Sequence, residues 1–423
     1  MLKNFSIKNK ILFSTSFVII VLTLSIFLIL YLVSNKESKN LSNQMTDYSK
    51  NNMSNLAKSI YYACEVTDQS INKILDEKIK MYKDKIKQIG GLNFSNEIVN
   101  WNAINQFNKE ITTISLPKVM LGNDWFGQKF TFDEKMKFVD DVREQYFYFT
   151  IFQRMNNIGD MLRIATNVET ADGKRAIGTY IPFTNPDGSQ NPVVSAVMKG
   201  LTYRGSAYVV KDYYQTIYEP IKDKNNNIIG MIFVGVSLKV ADKLRENILK
   251  TVVGKSGYVF VLGGSGARKG YYIISKDGKR DGENIWDVTD ANNEKIIQKI
   301  ITQATEQPEG SISFIQYSWI NPGEEKPNEK IVGLAYFKPF DWVIGAETNL
   351  SEIEELADNV KEAFNSIYFY IFIVITVMII LTVLFVNYIS NKIANPIKNA
   401  TEIMHDISKG RINEAISKLE NIT

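Results

Sequence analysis

The sequence predicts a two-pass membrane protein of the α+β class, with two similar lobes between its membrane spans. Residues 11–33 and 367–389 contain no charged side chain. Each of these runs is about 23 residues long, and about 20 apolar residues suffice for a helix to cross a bilayer. The intervening residues 34–366 begin with a helical pattern and continue in two series of short strand-like runs. The two apolar runs thus predict the spans, and the repeated strand series predicts the two lobes.

The composition of the 423 residues excludes several classes of function. The chain has 49 Lys plus Arg against 46 Asp plus Glu, a net charge of +3, and no concentrated basic face, so no nucleic-acid partner is expected. Its single cysteine, Cys64, and single histidine, His405, exclude an intramolecular disulfide, a Cys/His zinc site and a Cys–His or Ser–His hydrolytic centre. We expect no catalytic site, no cofactor and no metal.

The charges that flank the apolar runs predict the orientation in the plasma membrane. Lys3, Lys8 and Lys10 precede the first run, and Lys392 and Lys398 follow the second. The positive-inside rule then places both termini, including residues 1–10, in the cytoplasm and residues 34–366 outside. A cleaved signal peptide is the alternative for the first run, but the run is too long and no small-residue cleavage site follows it.

The first part of the outer segment, residues 34–115, is predicted to be a long helix region. Apolar residues recur at steps of three and four at Ile71, Leu75, Ile79, Tyr82, Ile86 and Ile89. Gly90 and Gly91 are expected to end this helix. The apolar stripe could pack on the following domain, pair with a second copy of the chain, or do both along different lengths.

The two strand series predict a membrane-distal lobe over residues 116–245 and a membrane-proximal lobe over residues 246–350. Strands are predicted at 147–154, 161–168, 176–181, 207–210, 214–221 and 228–236, and then at 257–262, 270–275, 311–317, 330–337 and 342–347. Short helices are predicted at 192–199 and 292–305, and an exit helix at 351–366. Chance similarity of two antiparallel sheets is the alternative to a true repeat.

The segment after the second span, residues 390–423, carries a coiled-coil pattern. Its apolar positions recur with a mean spacing of 3.5 residues at Ile393, Ile397, Ala400, Met404 and Ile407. Pro396 is predicted in the first turn of this helix, where proline is tolerated, and Gly410 is predicted to end it. This pattern predicts a homodimeric seam.

Several motifs resemble a known family in the expected order. They are residues 150–155 (TIFQRM), 162–168 (LRIATNV), 174–182 (KRAIGTYIP), 202–205 (TYRG), 218–223 (YEPIKD), 230–236 (GMIFVGV) and 254–262 (GKSGYVFVL). They are similar to the Cache 3/Cache 2 fusion domain, the extracytoplasmic sensor of many bacterial methyl-accepting chemotaxis proteins and some sensor kinases. The segment after residue 389 resembles the first helix of a HAMP domain, a parallel dimeric bundle that relays signals. The chain departs from the family at Ser206, where a basic or bulky residue is usual.

The resemblance implies a double Cache fold, two PAS-like lobes on a long N-terminal helix, followed by a partial HAMP domain. It implies a receptor that binds a small molecule outside the cell and relays a conformational signal inward. The second HAMP helix is expected beyond residue 423, so the sequence is either a fragment or a naturally short protein. The input half of a sensor kinase or diguanylate cyclase, or a binding protein without output, remain alternatives. Cytoplasmic partners are expected only if the chain continues.

The candidate ligand-binding residues lie in the first lobe. Arginine suits a carboxylate because its planar guanidinium donates two parallel hydrogen bonds. The candidates are Arg154, Arg163, Tyr203, Arg204, Tyr208, Asp212 and Tyr213. They predict a carboxylate or amino-acid ligand. The alternative is that Arg154 and Arg163 pair with acids at the sheet edge and that the tyrosines belong to the core.

Overall fold

The computed structural model describes residues 7–320 and 326–420. Lys3, most of the predicted 1–10 segment and the last three residues of the predicted HAMP segment lie outside the described residues. The chain divides into two compact units. One contains residues 50–350, and the other contains the two ends of the chain. The class is α+β with tandem PAS-like lobes, as predicted.

The first helix, α1, spans Ile7–Gln88 without interruption. It ends one residue before the predicted limit, and Gly90 and Gly91 follow it with positive φ angles of 114° and 77°. Its predicted stripe is confirmed as a packing face, because Ile71, Leu75, Ile79, Tyr82 and Ile86 are all buried. The same face continues toward residue 53. Packing on the following lobes therefore accounts for the stripe along residues 53–86.

A nine-stranded sheet forms the first lobe, called the distal lobe below, in the order β3-β2-β1-β6-β5-β4-β9-β8-β7. Its strands are β1 Leu92–Asn105, β2 Ile111–Leu121, β3 Asp124–Trp125, β4 Phe147–Arg154, β5 Met161–Thr166, β6 Thr179–Ile181, β7 Tyr203–Val209, β8 Asp212–Lys222 and β9 Ile228–Ser237. Helix α2, Pro192–Met198, packs on β7 and β8. The side chain of Asn191 caps α2 by accepting the N–H groups of Val193 and Val194.

A second sheet forms the second lobe, called the proximal lobe below, in the order β10-β11-β15-β14-β13 with β12 paired to β11. Its strands are β10 Val252–Val253, β11 Gly257–Gly263, β12 Tyr272–Ile274, β13 Ser313–Trp319, β14 Asn328–Phe337 and β15 Trp342–Asn349. Helix α3, Asp242–Lys250, connects the two sheets along the chain, and α4, Ile296–Glu306, packs on β13 and β14. Buried isoleucines of α4 fill the core of this lobe.

The strand order confirms the predicted internal repeat. In the distal lobe, the strands β5-β4-β9-β8-β7 run 2-1-5-4-3 when numbered along the chain. In the proximal lobe, β12-β11-β15-β14-β13 run 2-1-5-4-3 as well. Each lobe also places one helix, α2 or α4, between its second and third strands in this numbering. Two antiparallel sheets would share both features by chance only rarely, so the repeat is real.

The hairpin formed by β1 and β2 was not predicted, and it occupies the last part, residues 92–115, of the segment assigned to the long helix region. Its residues pair from Leu92 with Leu121 to Ile104 with Ile111, with a bulge between Phe94 and Ile98. The apolar positions of β1 change phase at this bulge, from Leu92 and Phe94 to Val99, Trp101 and Ala103, so a single alternation does not run through the strand. The predicted helix end at Gly90 and Gly91 agrees with the structure, whereas residues 92–115, grouped with that region, belong to the β1–β2 hairpin.

Helix α5, Leu350–Ser408, is continuous through the predicted exit helix, second span and HAMP helix. Pro396 thus lies inside a long helix, and its predicted position in a first turn was wrong. Proline has no N–H to donate to the carbonyl four residues earlier, so the helix is weakened locally there. A short helix, α6 Ile412–Glu420, replaces the predicted connector. Its Ala415 is buried, and Arg411 and Lys418 both pair with Asp406 of α5.

Both α1 and α5 contain stretches long and apolar enough to cross a membrane. These stretches coincide with the runs at 11–33 and 367–389, and their apolar side chains are exposed in the single chain. Exposed apolar side chains over this length fit a lipid environment.

Candidate functional site

The distal lobe contains a cavity of about 740 Å³, within the range of small-molecule sites. It lies beside the apolar core of this lobe, with Ile181 and Val193 in both core and wall. Its lining residues are Gln106, Phe107, Asn108, Lys109, Ile181, Asn185, Pro186, Asp187, Asn191, Pro192, Val193, Tyr203, Ser206, Ala207, Tyr208, Tyr213, Tyr218, Gly266 and Ala267. The combination of aromatic walls and a few polar groups is typical of a small-molecule site.

The proximal lobe offers much less space in the corresponding part of its fold. The gap between Tyr258, Tyr272, Tyr317 and Glu347 measures about 10 Å³. Glu347 is buried, accepts a hydrogen bond from the Tyr317 hydroxyl and pairs with the buried Lys330. Burial raises the pKa of Tyr317 well above its usual value, so this hydroxyl stays neutral and donates to the carboxylate. The larger space for a ligand therefore lies in the distal lobe.

Tyrosines from β7 and β8 form one wall of the distal cavity. Tyr203, Tyr208 and Tyr213, all predicted as candidates, line it. Tyr208 stacks on Phe107 with ring centroids 6.1 Å apart and meets Tyr213 edge to face at 5.5 Å. The Tyr203 hydroxyl donates to the Ser206 carbonyl at 3.0 Å. Ser206 also lines the cavity, and its small side chain leaves room there.

Arg163 lies behind this wall on β5 and is completely buried. Its guanidinium donates to the Thr179 hydroxyl at 2.8 Å and to Gln106 Oε1 at 3.1 Å, and its centre lies 4.9 Å from the Phe152 ring. No acidic side chain among residues 7–320 and 326–420 pairs with it. Burial lowers the pKa of Arg163 to about 10, so it still carries its charge at neutral pH. A buried cation with only neutral partners is costly.

Two hydrogen-bond donors near this cation lack acceptors among the described residues. One is Arg163 Nε–H and the other is the hydroxyl of Tyr218, which lines the cavity. Burial raises the pKa of Tyr218 above its usual value, so its hydroxyl is a neutral donor. Gln106, which accepts from Arg163, lines the cavity as well. Arg163 is not itself a lining residue and reaches the cavity lining through Gln106, whereas Tyr218 presents its donor hydroxyl at the lining. A cation one side chain away from a neutral donor is a pattern that suits an anion.

Charged groups at the cavity lining have opposite signs. Lys109 donates to the Gln106 carbonyl at 2.6 Å and is the cation of the lining. Asp187 is the acid of the lining, and it accepts hydrogen bonds from the backbone and hydroxyl of Ser189. These bonds lower the pKa of Asp187, so it remains ionised. A ligand with a carboxylate, with or without an ammonium group, meets complementary charge here.

The other predicted candidates lie outside the cavity lining. Arg154 donates to the backbone carbonyls of Asn156, Asn157 and Ile228 and so stabilises a turn. Arg204 is exposed and pairs with Asp76 of α1. Asp212 pairs with Arg268 of the proximal lobe. Neither Arg154 nor Arg163 pairs with an acid among the described residues, so that part of the alternative was wrong. Tyr203 does pack against the apolar core of the lobe, as the alternative expected of the tyrosines.

Sequence reasoning missed several residues of the cavity, mainly Gln106, Phe107, Tyr218, Gly266 and Ala267. Gln106 and Phe107 follow β1, a strand that the change of phase at its bulge concealed. Tyr218 stands within a run that was already predicted as a strand, and alternation would have placed it on the same face of β8 as Tyr214. Gly266 and Ala267 come from the other lobe, and no local signal predicts that contact.

The fold and the cavity define a tandem PAS-like sensor domain carried between two membrane-type helices. The profile of the Cache 3/Cache 2 fusion domain matches residues 38–363, and the chain belongs to that family. It is also a homologue of the methyl-accepting chemotaxis protein McpP of Pseudomonas putida, with 25% identity over 133 residues, 31% of this chain and 22% of that protein. The chain thus matches about a fifth of the length of this relative.

Solved structures of sensor domains are similar at low identity. The sensory domain of the Campylobacter jejuni chemoreceptor Tlp3 has 12% identity and a TM-score of 0.33, covering 74% of this chain and 98% of that one. A second structure of that receptor, in complex with L-valine, has 12% identity and a TM-score of 0.32, covering 74% and 97%. A Cache chemosensory domain described for carboxylic acid recognition has 15% identity and a TM-score of 0.23, covering 26% and 72%.

Proposed function

We propose that the chain is the sensing and membrane-spanning part of a chemotaxis-type receptor, and that its distal cavity binds a small carboxylate-bearing molecule. The observation that carries the ligand proposal is the buried, acid-free Arg163, which contacts Gln106 next to the donor hydroxyl of Tyr218 at the cavity wall. A carboxylate at the floor of the cavity would accept the Tyr218 hydroxyl hydrogen and compensate the Arg163 charge. An amino acid would in addition place its ammonium toward Asp187.

The relay we propose is a shift between two conformations. A ligand biases such an equilibrium only by binding one conformation better than the other. The chain of the proximal lobe continues from β15 directly into α5, which carries the second apolar stretch and the coiled-coil positions. Pro396 lies within the coiled-coil positions, between Ile393 and Ile397, and weakens α5 there, which favours a local repacking.

The coiled-coil positions support a homodimer. Ile393, Ile397, Met404 and Ile407 are each more than half exposed in the single chain, whereas the neighbouring Ile403 is buried. An apolar heptad face of this kind is covered by a second helix in a parallel dimer. We therefore propose that the chain dimerises through this part of α5. We propose that α1 contributes to the dimer through its apolar positions before residue 53, because its apolar face over residues 53–86 is already buried against the lobes.

We propose that both termini are cytoplasmic and that residues 34–366 lie outside the plasma membrane. Membrane-impermeant maleimide labelling of intact cells tests this topology with two variants, Ser189→Cys in an exposed distal loop and Ser408→Cys near the end of α5. The Ser189→Cys variant should be labelled, and the Ser408→Cys variant should react only after permeabilisation. The unmodified chain is the control, because Cys64 is fully buried. Labelling of the Ser408→Cys variant alone in intact cells would overturn the topology.

The same architecture would serve a sensor kinase or a cyclase, and the ligand site does not distinguish these outputs. The similarity to McpP favours chemotaxis, because it lies in a methyl-accepting chemotaxis protein. Binding is tested by calorimetric titration of the full chain in detergent with small carboxylates. Saturable heat from at least one of them supports the ligand proposal, and no heat from any of them contradicts it.

A further inference from the structure

One part of the distal cavity wall belongs to the proximal lobe. Gly266 and Ala267 line the cavity together with Tyr208 and Tyr213 of the distal lobe. They lie in residues 264–269, which connect β11 to β12 and are called the interlobe loop below. The two lobes belong to one compact unit. The ligand site of one lobe is therefore completed by a loop of the other.

Three consecutive residues of the interlobe loop fit against the turn between β7 and β8. The N–H of Ala267 donates to the Tyr213 hydroxyl at 3.1 Å. Arg268 forms an ion pair with Asp212, and its guanidinium centre lies 5.1 Å from the Tyr213 ring. Gly266 has a φ of +57°, and a Cβ there would lie 3.0 Å from the Tyr213 hydroxyl. Glycine is thus required both by the backbone conformation and by the closeness of the tyrosine.

The other end of the loop is tied to the strand that leads out of the domain. The N–H of Gly264 donates to the Asp341 carbonyl at 3.0 Å, and the N–H of Ser265 donates to Asp341 Oδ2 at 3.0 Å. The Tyr336 hydroxyl donates to Asp341 Oδ1 at 2.9 Å. Asp341 itself has a left-handed φ of 57° and immediately precedes β15. A displacement of the loop therefore acts directly on the start of β15.

A second contact between the lobes runs parallel to this one. The buried side chain of Gln215 on β8 donates to the Pro339 carbonyl at 3.0 Å. Pro339 lies two residues before Asp341. The β7–β8 hairpin, which forms the aromatic wall of the cavity, thus contacts the proximal lobe at the interlobe loop and at the turn before β15.

We propose that the interlobe loop is a ligand-contacting latch: it closes the distal cavity, and it couples occupancy of the cavity to β15. This inference rests on the proposed ligand site and extends it, because it assigns part of that site to Gly266 and Ala267. A ligand in the cavity then contacts both lobes, so its affinity depends on how the interlobe loop is placed. Such a difference in affinity between two conformations is what a conformational shift requires. The side chain at position 267 limits the size of the ligand at the cavity mouth.

The first test needs no ligand. Amide hydrogen exchange of the full chain in detergent reports opening of residues 264–269 and 210–214. Arg268→Gln removes the ion pair with Asp212, and exchange in both segments should become about two- to five-fold faster, the size expected for a half-exposed ion pair. The control is Lys279→Gln, which removes an exposed cation of the same lobe that pairs with Asp277. Unchanged exchange in Arg268→Gln would overturn the latch.

The second test adds acetate, pyruvate, succinate, benzoate and L-valine as probes, each at millimolar concentration. A bound probe should slow exchange both in residues 203–218 and in the interlobe loop. Ala267→Trp should weaken binding of the same probe at least about ten-fold, because the added ring enters the cavity mouth. The control in the same loop is Lys269→Gln, whose side chain lies over Trp286 outside the cavity lining.

The outcomes separate the two proposals. Protection of residues 203–218 without protection of the interlobe loop, together with unchanged binding by Ala267→Trp, overturns the latch and leaves the ligand site standing. Protection of neither segment by any probe overturns the carboxylate site and, with it, the ligand contact of the loop. Protection of both segments, with binding weakened only in Ala267→Trp and not in Lys269→Gln, supports both proposals.

Discussion

Replacing Arg163 with methionine separates a ligand-binding arginine from a structural one. Methionine fills similar length without charge, and Arg163 has no acidic partner among the described residues that its loss would leave unpaired. Breaking a buried ion pair usually costs about 3–5 kcal/mol, mainly because one charge is left uncompensated. In Arg163→Met the hydrogen bonds to Thr179 and Gln106 are lost, but the cost of burying the Arg163 charge is removed as well, and the two effects offset each other. We expect the free energy of unfolding without ligand to stay within about 2 kcal/mol of wild type.

Ligand binding should respond very differently to the same substitution. The Arg163 charge acts on the bound carboxylate across Gln106, and a hydrogen bond that involves a charged group contributes about 1.5–3 kcal/mol, so its loss should lower the affinity at least about ten-fold. The assays are chemical denaturation without ligand and calorimetric titration with the carboxylate that binds best. Arg154→Met is the matched control, because Arg154 lies outside the cavity lining and donates to the backbone carbonyls of Asn156, Asn157 and Ile228.

A second variant calibrates the stability measurement. Arg175 is also completely buried, but it pairs with Asp140 and donates to the Thr131 and Thr166 carbonyls. Arg175→Met should therefore destabilise the protein by several kcal/mol. The reasoning is refuted if Arg163→Met binds the carboxylate as tightly as wild type, or if it destabilises the protein as strongly as Arg175→Met does.

Three further predictions follow from buried groups. Tyr218→Phe removes a hydroxyl that has no acceptor among the described residues, so the free energy of unfolding should stay equal or rise by up to about 1 kcal/mol in chemical denaturation. The affinity for the carboxylate should fall in the calorimetric titration. An unchanged affinity would count against the site. Lys330→Met should destabilise the protein by about 3–5 kcal/mol, because the buried Glu347 carboxylate loses its cationic partner. Adding Glu347→Leu should recover most of this loss in a double-mutant cycle. Burial raises the pKa of Cys64 to about 12, so alkylation at pH 8 should be slow until denaturant is added; rapid native alkylation would mean that α1 does not pack as described.

The sequence predicted those elements whose pattern is local. Strand β4 has the predicted bounds, and α1 ends within one residue of its prediction, because an apolar stripe and two glycines determine that end. The β1–β2 hairpin escaped prediction because the apolar positions of β1 change phase at its bulge. The continuity of α5 through Pro396 also escaped, since proline in a sequence favours a helix start over a helix interior.

Part of the candidate site was also predicted, because some of its residues lie in a local sequence pattern. Tyr203, Tyr208 and Tyr213 belong to a recognisable hairpin, and they do line the cavity. Arg163 is unusual because no acidic side chain among the described residues pairs with it. Which acids lie near it depends on how the sheet packs and not on the local sequence. The contribution of Gly266 depends on the approach of two lobes whose contacting residues are more than 50 positions apart. No spacing within the chain predicts such an approach.

The most direct test of the central claim compares each carboxylate with its neutral amide in calorimetric titrations of the full chain. The pairs are acetate with acetamide, succinate with succinamide and benzoate with benzamide. Because Arg163 contacts the lining residue Gln106, and the Tyr218 hydroxyl at the lining has no acceptor among the described residues, at least one carboxylate should bind at least about ten-fold more tightly than its amide. Equal binding of acid and amide, or binding of neutral compounds alone, would contradict an anion site built on Arg163.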